Sequence, residues 1–465
     1  MSDEGDMKNY LFTFEKSIPK YKQIYTNIKL LIEKGVLKKD EALPSIRQLA
    51  DSLHVSRNTT LLAYEQLAAE GYIHGENRRG FFVNELEPNL YQRRKKVRQK
   101  AEKQISKEIS INFKVDTVEK EMFPKNTWKR FVNNSMEENL LYTYGDPFGE
   151  SILREQVAKY LLESRGLNTD KESIIIGSST QQMLTYIGHV LKSDFSSVIV
   201  EDPGFWGARE VFKLHHFAFE FLPVYENGID LSELRNLKAK LMYVTPSHHS
   251  PYGVSMSIQQ RQHLIQWAKK KKGYIIEDDY DSEFRYTQRP FPSLASIDQK
   301  RVIYIGNFSK SFLPGLRLSY MALPKELEIR YKEHFKGFEN TASTIHQIAM
   351  AKFMKENEWY RHIKRMRNIY KKKMEHLTST LNEHFGNYIT IIGHNSGLYL
   401  LIKVHLQKSE DWLIKQAYKK GVEVGPTSRY FANNYIDRPI IKLAFGGLSQ
   451  KDITLGVKLL KKAWL

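Results

Sequence analysis

Cysteine is absent from all 465 residues, which excludes disulfide scaffolds, thiolate metal sites, iron–sulfur clusters and cysteine nucleophiles. Acidic residues fall short of basic ones, 53 against 71, leaving a formal charge of +18. Nucleic acid, anionic metabolites or solubility alone account for such an excess. The opening MSDEGDMKNYLF is acidic and lacks an apolar core, so no secretory signal is expected. No apolar run is long enough to cross a bilayer, and a cytoplasmic protein without a membrane partner is the expectation. What is present looks globular: 41% hydrophobic and 27% charged residues. The length exceeds the ~100–200 residues of one domain, so at least two are expected.

Pattern divides the chain into three regions. Residues 12–86 carry short helical segments ending in a glycine-punctuated aromatic stretch; 87–110, containing YQRRKKVRQKAEKQ, is polar and basic and suits a solvated linker. Residues 111–465 alternate β-branched runs with helical ones, as in an α/β domain with a largely parallel sheet. The last part switches to LYLLIKV, IIKLAF and a closing helix, as in a small α+β subdomain.

In the first region Pro19 sits well at a helix start, with Tyr21, Ile24, Ile28 and Leu31 at helical spacing before Gly35. LPSIRQLADSL begins a second helix, His54-Val55 turns tightly, and Ser56 is a good N-cap for a third helix expected to send Leu61, Tyr64 and Leu67 inward. YIHGENRRGFFV then alternates around a glycine-bearing turn, as a hairpin does. Two short helices joined so tightly, followed by a hairpin, make a winged helix-turn-helix. A recognition helix enters the major groove N-terminus first, so Arg57, Asn58, Thr59 and Thr60 form the base-edge group, with the capping Ser56 beside them on the DNA-binding side. Arg47, Arg78 and Arg79 are placed for phosphates or the minor groove of double-stranded promoter DNA.

In the large region five polar clusters follow five apolar runs, as when a ligand lies at the carboxyl edge of an α/β sheet. Pyridoxal 5'-phosphate makes demands that these clusters meet. An amine for a Schiff base is Lys310, in VIYIGNFSKSFLPGLRLSYMAL, and the same segment offers Arg317 as a fork for phosphate. A carboxylate for the pyridine nitrogen is Asp278 or Asp279 in YIIEDDYDSEF, with Tyr280 near the phenolic oxygen. The helix N-terminus in IIIGSSTQQMLTYIGHVL provides Ser178, Ser179 and Thr180 for the phosphate. VIVEDPGFWGAR provides Phe205, or Trp206, as a lid, and YVTPSHHSPYGVSM brings His248 and His249 to another strand end.

The first region, most specifically in LPSIRQLA, VSRNT and AYEQLAAEGYI, resembles the winged-helix domain of GntR-type bacterial repressors. It departs at Thr60, where such domains usually carry valine, and the hydroxyl is expected to alter base preference. From TYGDPFGESILREQVAKYL onward the chain is similar to fold-type I aminotransferases. That register favours Asp278, places Lys310, Tyr280, Arg317, Phe205, Ser179 and Thr180 on cofactor motifs, and matches Tyr144 to a tyrosine that reaches a neighbouring subunit's phosphate. A homodimer with head-to-tail shared sites is implied. The fusion resembles the MocR/GabR regulators, implying a pyridoxal-phosphate-dependent transcription regulator that senses the cofactor or an amino compound as an aldimine. An aminotransferase carrying a DNA-binding domain is the alternative, and transaminase activity is expected to be residual or absent. Where such enzymes hold substrate carboxylate with arginine in I-R-L-x-F, IIKLAF has Lys442. Lysine lacks the bidentate fork, so Arg429, ahead of Arg209, is the expected anion contact.

Overall fold

Ser45 opens a helix because its side chain accepts from the Gln48 backbone while the Gln48 side chain accepts from Ser45 N, a reciprocal capping box. In the computed structural model that helix, α2 (Ile46–Leu53), lies between α1 (Lys20–Glu33) and α3 (Arg57–Ala69). The hairpin β1 (Ile73–Glu76) and β2 (Gly80–Val83) follows. The structure describes residues 10, 12–15, 17–85, 109–286, 291–433 and 439–465. The chain divides into two units, Met1–Ser106 and Lys107–Leu465. The basic linker expected at 87–110 lies, as far as residue 108, outside the described residues.

In the first unit α2 stops at His54, whose φ of +51° closes the left-handed turn, and Ser56 caps α3 by accepting from Thr59 N at 3.2 Å. Ile24, Ile28, Leu49, Leu53, Tyr64 and Leu67 fill the core, each fully buried aliphatic contributing about 1.5–3 kcal/mol. Tyr64 keeps its hydroxyl satisfied by donating to Pro44 O at 2.8 Å. The inward face of α3 differs from the expected Leu61, Tyr64 and Leu67. It is Thr60, Ala63, Tyr64 and Leu67, while Leu61 is only half-buried. Positions i, i+3, i+4 and i+7 share one face of a 3.6-residue helix, and that set starts at Thr60.

The second unit begins with β3 (Ile111–Asn112). Its main sheet has eight strands: β4 (Ile174–Gly177), β5 (Ser197–Asp202), β6 (Ala218–Tyr225), β7 (Gly228–Ile229), β8 (Leu241–Val244), β9 (Tyr274–Asp279), β10 (Val302–Asn307) and β11 (Ser319–Ala322). Their order is β4-β11-β10-β9-β8-β5-β6-β7. β11 runs antiparallel to both neighbours and β7 antiparallel to β6, while β6, β5, β8, β9 and β10 are parallel. Every residue of β4, β8 and β9 is buried, because helices cover both faces; hence the apolar runs of β4 and β8, while β9 ends in the three acids Glu277–Asp279.

The smaller sheet joins β12 (Ile389–Ile392), β13 (Tyr399–Val404), β15 (Gly425–Pro426) and β16 (Ile440–Ala444), in the order β12-β13-β16-β15. The start of the unit is stitched onto this subdomain. β3 pairs in parallel with β14 (Val422–Glu423), and Ala444 N donates to Phe113 O at 2.8 Å. Asp116, three residues later, is thereby brought against Lys442 of β16.

Candidate cofactor cavity and DNA-reading face

On the first unit Ser56, Arg57 and Asn58 are exposed and Thr59 is half-buried at the N-terminus of α3, where unpaired N–H groups favour anions. Thr60 does not belong with them. It is fully buried, and its Oγ1 has no hydrogen-bond partner among the described residues. The base-edge role expected of Thr60 is therefore corrected: one helical step rotates its side chain into the core. Arg47 is exposed, 3.9 Å from Asp51. Arg78, at φ +65°, stands at the wing turn. Arg79 pairs with Glu76 at 2.5 Å and lies over the Phe82 ring.

In the second unit a cavity of about 250 Å³ opens at the carboxyl ends of the parallel strands, the edge where α/β sheets bind ligands. Lys310, on the loop after β10, and Asp278, near the end of β9, both line it. Tyr243 donates to Asp278 Oδ2 at 2.5 Å, while Oδ1 is buried without a hydrogen-bond partner among the described residues. Burial, against the Tyr243 bond and with Asp279 and Asp281 adding to it, pushes this carboxyl up to about 7. Asp279 faces the other side of the sheet, as alternation along a strand requires. It accepts from Arg165 Nε at 2.8 Å and Tyr304 at 2.7 Å; burial would raise its pKa, but Arg165 holds it below the ordinary value. Of the two candidate acids, Asp278 is the one at the cavity.

The opposite end is the N-terminus of the helix Thr180–Lys192. Ser179 caps it, accepting from Gln182 N at 3.2 Å, and Ser179, Thr180 and Arg317 line the cavity. Arg317 holds a left-handed φ of +55°. Ser178 does not line it: its N and Oγ both donate to Gln182 Oε1, at 2.6 and 3.0 Å. Phe205 and Tyr280 line the wall; Trp206 instead lies under the Arg429 guanidinium, 5.0 Å from the ring centroid. Neither Arg429 nor Arg209 lines the cavity, and Arg209 donates to the carbonyls of Gly204, Arg429 and Tyr430.

His248 and His249 sit behind the wall. His248 Nδ1 is 2.7 Å from Asp281 and 3.3 Å from the Tyr280 hydroxyl. His249 Nε2 meets Pro203 O at 3.0 Å, and burial pushes its pKa down to about 3, so it stays neutral. Tyr144, with 82% exposure, does not line this chain's cavity.

Sequence reasoning missed Asp116. Its carboxylate is 2.7 Å from Lys310 Nζ and accepts from Lys442 Nζ at 2.8 Å. Burial would raise its pKa, but the two ammonium groups hold it well below the usual carboxylate range. Asp116 lies 326 positions from Lys442 in the chain and belongs to no local motif; the only signal was an acid closely following a β-branched start. Tyr399, Tyr430 and Asn307 also line the cavity and were not foreseen.

The residues fit pyridoxal phosphate on an observation independent of motif. The cavity holds a buried carboxylate oxygen, Asp278 Oδ1, and a buried hydroxyl, Ser319 Oγ, neither hydrogen-bonded among the described residues. A ring N–H answers the first and an acceptor the second, while a helix N-terminus and Arg317 answer a phosphate.

The chain matches two protein families. Residues 20–83 match "Bacterial regulatory proteins, gntR family", and residues 119–454 match "Aminotransferase class I and II". It is 38% identical to the uncharacterized HTH-type transcriptional regulator YdeL of Bacillus subtilis (strain 168), covering 96% of this chain and 97% of that one. It is 29% identical to the probable rhizopine catabolism regulatory protein MocR of Rhizobium meliloti, over 97% and 95%. Among solved structures it is similar to LysN, an α-aminoadipate aminotransferase from Thermus thermophilus. The TM-score is 0.70 at 23% identity, covering 79% of this chain and 93% of that one. Among the described residues no helix is long and apolar enough to cross a membrane.

Proposed function

The chain belongs to the MocR-type transcription regulators, a GntR-type winged helix ahead of a class I and II aminotransferase domain, and from that premise we propose a pyridoxal-phosphate-dependent sensor that binds promoter DNA. One observation carries the reading: a single cavity joins the Lys310 amine, the Asp278 carboxylate, whose Oδ1 has no hydrogen-bond partner among the described residues, and the helix N-terminus with Arg317. Family members use this cofactor, and it supplies an aldehyde for primary amines and an electron-withdrawing ring.

Each residue then has a task. Lys310 holds the cofactor covalently. Asp278 Oδ1 receives the ring N–H and keeps that nitrogen protonated. Tyr280, steadied by His248 and Asp281, turns its hydroxyl to the phenolic oxygen. Phe205 covers a ring face, and Ser179, Thr180 and Arg317 hold the phosphate. The effector is the cofactor itself or an amino compound captured beside Lys310.

Arg57, Asn58 and Thr59 meet base edges, Ser56 lies beside them as the cap of α3, and Arg47, Arg78 and Arg79 meet phosphates or the minor groove. The working form is a cytoplasmic homodimer, Tyr144 being exposed for a second copy's cavity. The domains are 12–86, a basic linker at 87–110, and 111–465.

Borohydride reduction of the holoprotein followed by peptide mass spectrometry tests the cofactor assignment. A pyridoxyl adduct on Lys310, absent from Lys310→Ala, is expected. No adduct in wild-type protein incubated with the cofactor overturns it.

A further inference from the structure

One polar atom of the cavity wall still awaits a role. Ser319, the first residue of β11, is fully buried and lines the cavity, and its Oγ has no hydrogen-bond partner among the described residues. Burying a hydroxyl unpaired is costly, so such an atom facing a cavity calls for an acceptor on the ligand.

The sheet register says which part of the ligand supplies it. Ser319 pairs with Gly177, the last residue of β4, on one side and with Asn307, the last of β10, on the other. Alternation along β11 puts Ser319 on the same face as Met321 and turns Tyr320 to the other. Met321 belongs to the core cluster that contains Met183, Leu184 and Ile187 of the helix Thr180–Lys192. Ser319 therefore lies on the face this helix covers, at the strand edge where the helix begins. The helix sits close there: a β-carbon on Gly177 would fall 2.6 Å from the end of the Met183 side chain. Ser179, Thr180 and Arg317 line the same end of the cavity. Asp278 is on β9, two strands from β11, roughly 10 Å away at the usual strand spacing.

We propose that Ser319 is a further phosphate ligand of the cofactor, its hydroxyl donating to a phosphate oxygen beside the helix N-terminus and Arg317; the inference rests on the cofactor reading above. Of the acceptors pyridoxal phosphate offers, the phenolic oxygen is answered by Tyr280, whereas a phosphate has lone pairs for several donors. A serine hydroxyl has one proton to give, and a bond to a charged acceptor is of the stronger kind. The arrangement carries a signature: taking the hydroxyl away relieves the empty protein and weakens the loaded one.

The test uses the full-length protein and two probes, pyridoxal 5'-phosphate and pyridoxal, which differ by the phosphate. Each is titrated into cofactor-free wild type and Ser319→Ala, and affinity is read from the visible absorption. The substitution is expected to weaken pyridoxal phosphate about tenfold or more, the scale of a hydrogen bond to a charged group, and pyridoxal less than about twofold. Urea unfolding of the same cofactor-free proteins is followed by tryptophan fluorescence, all six tryptophans lying in the second unit. Ser319→Ala should show the higher midpoint, an unpaired buried hydroxyl having gone. Unchanged affinity for pyridoxal phosphate, or equal weakening of both probes, overturns the proposal. A lower midpoint, the mark of a hydroxyl already partnered in the empty protein, overturns its premise. Borohydride reduction alongside separates the failures: an adduct on Lys310 with unchanged affinities overturns this inference alone, and no adduct overturns the cofactor reading beneath it.

Discussion

Replacing Thr60 with valine is expected to stabilise the winged helix and leave operator binding alone. Thr60 is fully buried in α3, and its Oγ1 has no hydrogen-bond partner among the described residues. Helical threonines often give that hydroxyl to a carbonyl one turn back; this one does not. Burying an unpaired hydroxyl costs about 1–3 kcal/mol by mutational measures. Valine has nearly the same shape, so no cavity opens, and a gain of about 1 kcal/mol is expected, roughly fivefold in the local opening equilibrium. The first tryptophan of the chain is Trp128, so tryptophan fluorescence follows the second unit only. Hydrogen exchange of α3 amides in the full-length protein is the suitable assay, and Thr60→Val should slow it about fivefold. Affinity for the DNA upstream of its own gene should stay within a factor of about two, well below the ~1–3 kcal/mol of a base contact. Faster exchange, or a tenfold loss of DNA affinity, refutes the buried assignment.

Two further predictions concern charge. Asp278 and Glu277 are pushed up to about 7, and Glu201 to about 8, each chiefly by burial. The folded cofactor-free protein thus holds protons that the unfolded chain has released, so these acids favour the fold most below about pH 4. That contribution is lost as pH climbs through 7; melting curves should show a shallower decline between pH 4 and 7 in Asp278→Asn, and identical slopes refute the assignment. On the wing, Arg78→Ala should reduce the log–log salt slope of DNA binding by about 0.9, the share of one phosphate contact. An unchanged slope places Arg78 in solvent.

Local rules made most of this legible. The turn at His54, the cap at Ser56 and the hairpin after Gly71 each follow from residues within a few positions of one another, and all three form as expected. The β-branched runs that open β4, β9 and β10 are strands because a sheet covered on both faces favours apolar side chains inside, and the buried acids that end β9 are the exception that marks the site. Thr60 escaped because a stripe drawn through Leu61, Tyr64 and Leu67 advances by threes, and a helix turns by 3.6. Trp206 and Arg209 were attractive by type, but tertiary packing gave one a guanidinium to lie under and the other three carbonyls. Asp116 was invisible because its meaning lies in two lysines supplied by a distant loop and a distant strand. No spacing rule spans 326 positions; only the pairing of β3 with β14 and the bond from Ala444 to Phe113 bring them together.

The central claim is that the Lys310 cavity governs the grip on DNA, and affinity for the upstream DNA measured as pyridoxal phosphate, then a panel of amines and amino acids, is titrated into cofactor-free protein tests it most directly. Wild-type affinity should change about 5–150-fold, the span of a ~1–3 kcal/mol coupling, while Lys310→Ala shows no response. The same affinity in wild type with and without the cofactor and every member of the panel, or the same response in both proteins, contradicts it.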